Sequence, residues 1–111
     1  MIGLIGHSVS RVEALKKFIA AHPGDPFPRY GLAQEYKNAR RFAEARAEFE
    51  TLMRDHPDYT AAYLHAGNVL LELGERDAAR AIFERGVEAC RRRGDGHAMS
   101  ELEGALSSFA D

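Results

Sequence analysis

Ala45-Arg46-Ala47-Glu48-Phe49-Glu50 recurs 34 residues later as Ala79-Arg80-Ala81-Ile82-Phe83-Glu84, with only the fourth residue changed. The same displacement carries His22-Pro23 onto His56-Pro57, and pairs Tyr30 with Leu64, Leu32 with Ala66, Ala33 with Gly67 and Tyr36 with Leu70. A period of this length means one supersecondary unit used more than once. Such a unit cannot bury its apolar face alone and must stack on a neighbour. Within each copy the spacing is helical. Tyr30, Ala33, Tyr36 and Lys37 follow one helical face, and Phe42, Ala45, Phe49, Leu52 and Met53 are separated by three, four, three and one. Tyr63, Leu70 and Leu73 mark a third helix, and Ala79, Ile82, Phe83 and Val87 a fourth.

The boundaries follow from local chemistry. Pro26 or Pro28 suits a first helical turn, with Asp25 as N-cap. That helix is expected to end near Arg40, and the second before Pro57, because the residue preceding a proline avoids the helical region. Asp58 is expected to cap the third, which stops at Gly74. The fourth starts near Glu75 or Arg76 and carries Arg91, Arg92 and Arg93 in its last turn, where positive charge complements exposed carbonyls. The small residues Ala33 and Gly67, expected to face Ala45 and Ala79, would let paired helices approach closely.

This arrangement resembles the tetratricopeptide (TPR) repeat, a helix-turn-helix unit of about 34 residues reading W-x2-L-G-x2-Y, A-x3-F and P. The first unit, residues 26–59, offers Arg29-x2-Leu32-Ala33-x2-Tyr36, Ala45-x3-Phe49 and Pro57. The second, residues 60–93, offers Tyr63-x2-Ala66-Gly67-x2-Leu70 and Ala79-x3-Phe83, with Arg91 where the proline would stand. Arg29 replaces the usual aromatic. The resemblance implies an all-α, right-handed superhelical stack of antiparallel helix pairs.

Stacked repeats need terminal caps. Ser8 to Ala21 places Val12, Leu15, Phe18 and Ile19 on one helical face, with Ser8 or Ser10 as cap, and reads as the second helix of a repeat lacking its first (residues 8–22). After the turn Gly94-Asp95-Gly96, the residues Met99, Leu102, Leu106 and Phe109 form an apolar stripe on a capping helix over residues 97–110. The expected layout is a single domain, residues 1–111, of about six helices.

Composition narrows the function. The 111 residues carry 15 Lys+Arg and 17 Asp+Glu, a net charge of −2, which gives no electrostatic case for nucleic acid or an anionic membrane as partner. No stretch approaches the roughly 18 apolar residues of a membrane span, and Met1-Ile2-Gly3-Leu4-Ile5-Gly6 lacks the marks of a signal peptide. With its lone cysteine, Cys90, the chain reads as soluble and cytoplasmic.

Reactive groups are sparse. His22 and His56 repeat with the period of the fold and read as helix ends. Cys90 near a histidine lacks an orienting third group or oxyanion site. His65 and His97 with a carboxylate lack metal-ligand spacing, and Gly3 and Gly6 do not make a phosphate loop. Arg40-Arg41 and Arg91 to Arg93 are diluted by nearby carboxylates and read as solvated helix ends. No catalytic residue, metal or cofactor is expected.

The resemblance implies that first-helix positions line a concave surface. In this sequence those are Tyr30, Gln34, Lys37, Asn38, Leu64, His65, Asn68, Leu71 and Glu72. Tyrosine and leucine supply contact area, while the amides and His65 can bond a peptide backbone. Some family members bind chaperone C-terminal tails through a two-carboxylate clamp. Tyr30, Gln34 and His65 stand where its lysine and two asparagines would be, so the clamp is largely absent. The leading expectation is a non-catalytic module binding a peptide or helix of another protein. The alternative is a self-associating protein that completes its open N-terminal half-repeat in a homodimer, helped by Ile2, Leu4 and Ile5.

Overall fold

In the computed structural model, backbone is described for residues 2–109 and side chains for residues 11–109. The described residues form six α-helices and no strand. In chain order these are α1 (Ile2–Ala21), α2 (Pro26–Asn38), α3 (Phe42–Asp55), α4 (Ala61–Glu72), α5 (Arg76–Arg93) and α6 (Gly96–Leu106), closed by a 3₁₀ turn at Ser107–Phe109. Each helix packs on the next, while α4 also touches α2 and α6. Thus α2, α4 and α6 line one face of the stack. One core threads the pairs: Leu32, Ala33, Tyr36, Phe49, Leu52, Tyr63, Val69, Phe83 and Leu102 are all buried.

The repetition extends to individual hydrogen bonds. His22 N–H donates to Phe18 O at 2.8 Å and His56 N–H to Leu52 O at 2.8 Å, while Asp25 and Tyr59 N–H each reach the matching histidine carbonyl at 3.0 Å. The two His-Pro segments are therefore one turn used twice, holding the chain between hairpins. The close of each first helix also repeats. Arg41 N–H donates to Tyr36 O at 2.8 Å, and Glu75 N–H to Leu70 O at 2.9 Å. This wrap requires a left-handed residue just before the donor. Gly74 supplies it at φ 79°, and Arg40 adopts it at φ 61° without being glycine.

Several expected details differ. Asp25 does cap α2, its carboxylate accepting from Phe27 N–H at 3.0 Å. Asp58, however, caps nothing. It pairs with Arg92, whose Nε donates to its carboxylate at 3.1 Å, and α4 begins after Thr60 with no side-chain cap. Ser8 and Ser10 lie inside α1, which begins at Ile2. Phe18 does not join its face-mates: Val12, Leu15 and Ile19 pack on the core, whereas Phe18 is 56% exposed. The Phe83 ring, one turn beyond Ala79, comes nearest to Gly67: a Cβ there would meet ring carbons Cδ1 and Cζ at 2.6 Å. Arg29, at the aromatic position, is ion-paired with Glu48 of α3 at 2.6 Å, so a half-buried charge pair replaces the ring. The side chains of Ile2, Leu4 and Ile5 lie outside the described residues.

The C-terminal end is sealed. Phe109 turns edge-on to Phe83 with centroids 6.0 Å apart. The Arg76 guanidinium lies 4.3 Å above the Phe109 ring, and it donates to Ser108 O at 3.2 Å.

Candidate functional site

On the α2/α4/α6 face the first-helix residues separate into two depressions. The first, of about 320 Å³, is walled by Tyr30 from α2, Leu64 and His65 from α4, and His97, Ala98 and Glu101 from α6, with Thr60 and Asp95 at its edge. The second is wider, about 550 Å³, and joins Lys37, Asn38, Arg40 and Phe42 to Asn68, Leu71 and Glu72. Every expected groove residue except Gln34 borders one or the other. Gln34 is half-buried, and its Oε1 is the one buried side-chain oxygen or nitrogen without a hydrogen-bond partner among the described residues.

The aromatic wall of the first depression is built by the repeat itself. Tyr59, from the turn after His56-Pro57, packs tilted on Tyr30 with centroids 5.4 Å apart, and Tyr30 meets the His65 ring at 6.0 Å. Burial pushes the phenols of Tyr30 and Tyr59 above the ordinary tyrosine value, and the Glu101 carboxylate adds to the effect on Tyr30. Both hydroxyls stay protonated at neutral pH. His65 moves the other way: burial lowers its pKa, Lys37 lowers it further, and Glu101 partly opposes both. Its Nδ1 lies 3.3 Å from Lys37 Nζ, which places the neutral imidazole as acceptor for the ammonium.

The contribution of α6 went unrecognised in the sequence, since its apolar stripe marks only its buried side. Asp95 anchors that helix, accepting from Thr60 Oγ1 at 2.7 Å and Ala98 N–H at 3.1 Å. These two bonds hold its carboxyl below the ordinary aspartate value. His97 and Glu101, one turn apart on α6, then rim the depression, with His97 Nε2 3.8 Å from Glu101 Oε1. The available signal was the i, i+4 polar pair on the side of α6 opposite its stripe.

The other reactive candidates have structural surroundings. Cys90 is 1% exposed in the core, and burial, then the Asp95 charge, raises its thiol pKa. That combination suppresses the thiolate that nucleophilic chemistry requires. Among the described residues no three His, Cys, Asp or Glu side chains gather where a metal could be held. None of the described helices is long and apolar enough to cross a membrane.

Comparison with known proteins agrees with this architecture. A family model described as tetratricopeptide repeat matches residues 38–106. A tetratricopeptide repeat domain protein from Salinibacter ruber is 37% identical, with a TM-score of 0.72 over 76% of this chain and 93% of that one. The TPR2B domain of yeast Sti1, solved as a complex with pHsp70, superposes at TM-score 0.83 over 94% of this chain and 83% of its own, at 16% identity. The first TPR domain of Spaghetti (RPAP3), bound to the HSP90 peptide SRMEEVD, gives 0.74 over 96% and 82% at 23% identity. At those last two identities the likeness speaks for the fold alone. The family is generally a non-enzymatic protein-interaction fold. With its period, its repeated turn bonds and the family match over most of its length, this chain belongs to the tetratricopeptide repeat family.

Proposed function

We propose that the protein is a non-catalytic interaction module that binds a peptide segment or helix of a partner protein along the α2/α4/α6 face. The observation that carries the reading is the pair of depressions on that one face, each bordered by first-helix side chains. Tyr30 and Leu64 offer apolar contact at one end, as Leu71 does at the other, where it is 38% exposed. Lys37, Asn38 and Asn68 offer hydrogen bonds between and beside them. A rigid surface of this kind keeps the ordering cost of binding on the partner's side. Two TPR domains of the same fold were solved with chaperone partners, which supports the class of ligand. It does not support the same peptide, because Tyr30, Gln34 and His65 stand where the carboxylate clamp would be.

Self-association through α1 is the less favoured reading. In the repeat register Arg11 occupies the place of Ala45 and Ala79, both fully buried against their paired helices. Arg11 is instead exposed and bonded to Glu35 at 3.0 Å, and a guanidinium there obstructs the close approach a completing helix would need.

The test is an affinity capture comparing wild type with the Tyr30→Ala/Asn68→Ala double variant, both checked for native helicity. Loss of the captured proteins in the variant is expected. Recovery of the same set by both would show that binding occurs elsewhere.

A further inference from the structure

The two depressions differ in charge. The first is lined by the carboxylates of Asp95 and Glu101 and by no lysine or arginine, with Lys37 reaching only its His65 edge, while the second carries Lys37 and Arg40 against Glu72. Within the first, Asp95 is consumed by its bonds to Thr60 and Ala98. Glu101 is not: among the described residues its nearest basic group is the His97 ring at 3.8 Å, beyond hydrogen-bond reach. Its field nevertheless reaches across the depression, acting on both Tyr30 and His65. One uncommitted carboxylate thus faces an aromatic wall in which Tyr30 is held by Tyr59 and His65.

Taking the α2/α4/α6 face as a peptide groove, we infer that the Tyr30–His65–Glu101 depression receives a basic side chain, arginine or lysine, of the bound segment. An aromatic face and a carboxylate presented together attract a cation through the ring quadrupole and the opposite charge at once. A carboxylate-bearing segment is repelled from the same place and finds its nearest cations at Lys37, which is bonded to His65, and Arg40, which is paired with Glu72 at 3.6 Å. The groove therefore has a polarity: basic residue at the α6 end, acidic or neutral residues at the α2/α4 C-terminal end.

Panning a random displayed-peptide library against the full chain tests this without a known partner. Arginine and lysine are expected to be enriched about tenfold at one peptide position on wild type, the effect of one well-made cation contact. The enrichment falls to background on Glu101→Gln, a substitution on an exposed helix face that leaves the aromatic wall in place. Peptides that depend on Tyr30 and Asn68 yet show no basic preference, or keep it unchanged on Glu101→Gln, overturn the assignment and leave the groove standing. Peptides that bind Tyr30→Ala/Asn68→Ala as well as wild type overturn the groove itself, and this inference with it.

Discussion

Gly67 offers the sharpest test of how the second helix pair is packed. A methyl group added there would have its carbon 2.6 Å from Cδ1 and Cζ of Phe83, where unstrained carbons sit about 3.5–4.0 Å apart. Phe83 has no exposure and cannot swing outward, because Phe109 closes over it under the Arg76 guanidinium. An overlap of this depth belongs in the upper part of the about 1–3 kcal/mol range for overpacking. Replacing a helical glycine by alanine returns about 1 kcal/mol of helix propensity. Gly67→Ala should therefore lose about 1–2 kcal/mol in urea unfolding followed by circular dichroism. Gly104→Ala, also helical but with nothing within 4 Å of the new carbon, is the control and should gain about 0.5–1 kcal/mol. If Phe109 is what pins the ring, the cost of Gly67→Ala should shrink by at least about 0.5 kcal/mol in a Phe109→Ala background. A Gly67→Ala protein as stable as wild type, or a strictly additive double-mutant cycle, would refute this picture of the packing.

Other consequences concern single residues. Arg40 holds φ 61° where Gly74 serves the matching turn, so Arg40→Gly should stabilise by up to about 1 kcal/mol in the same urea assay, less whatever its contact with Phe42 contributes. His65 has a folded-state pKa below 6.5, so as pH falls through 6.5 the unfolded chain takes up its proton first. Stability should fall with pH below that point, and His65→Gln should flatten the slope; an unchanged slope would exclude His65 as its source. The Cys90 thiol, buried and raised in pKa, should react with a disulfide reagent only at the rate of local or global opening. Immediate stoichiometric labelling in the native state would contradict that.

The repeat was legible because it is written in covalent spacing. A 34-residue displacement survives from letters to hydrogen bonds, as the His22 and His56 turns show. The nine groove residues were legible as positions on first helices, and eight of them border the two depressions. Their completion by α6 was not, because His97 and Glu101 lie beyond the repeated segment and look like ordinary exposed side chains. Asp58 misled because a capping residue and a salt-bridge partner are written the same way. Arg92, itself 34 residues further on, reaches Asp58 first. Ser8 and Ser10 misled for a related reason, since serine inside a helix costs only about 0.5 kcal/mol and need not mark a start. Gly67 is legible as a place of close approach, but the aromatic ring that lies nearest to it is not. Sequence spacing gives the face of a helix, and which side chain comes nearest also depends on size: the Phe83 ring reaches in from one turn further on.

Direct contact is the decisive measurement for the proposed binding face. A photo-activated phenylalanine analogue placed at Leu71 or Leu64 on the α2/α4/α6 face, or at Arg80 on the exposed side of α5, would report which face a captured partner touches. The account predicts cross-links from Leu71 and Leu64 and none from Arg80. Efficient cross-linking from Arg80, with Leu71 and Leu64 silent, would contradict it.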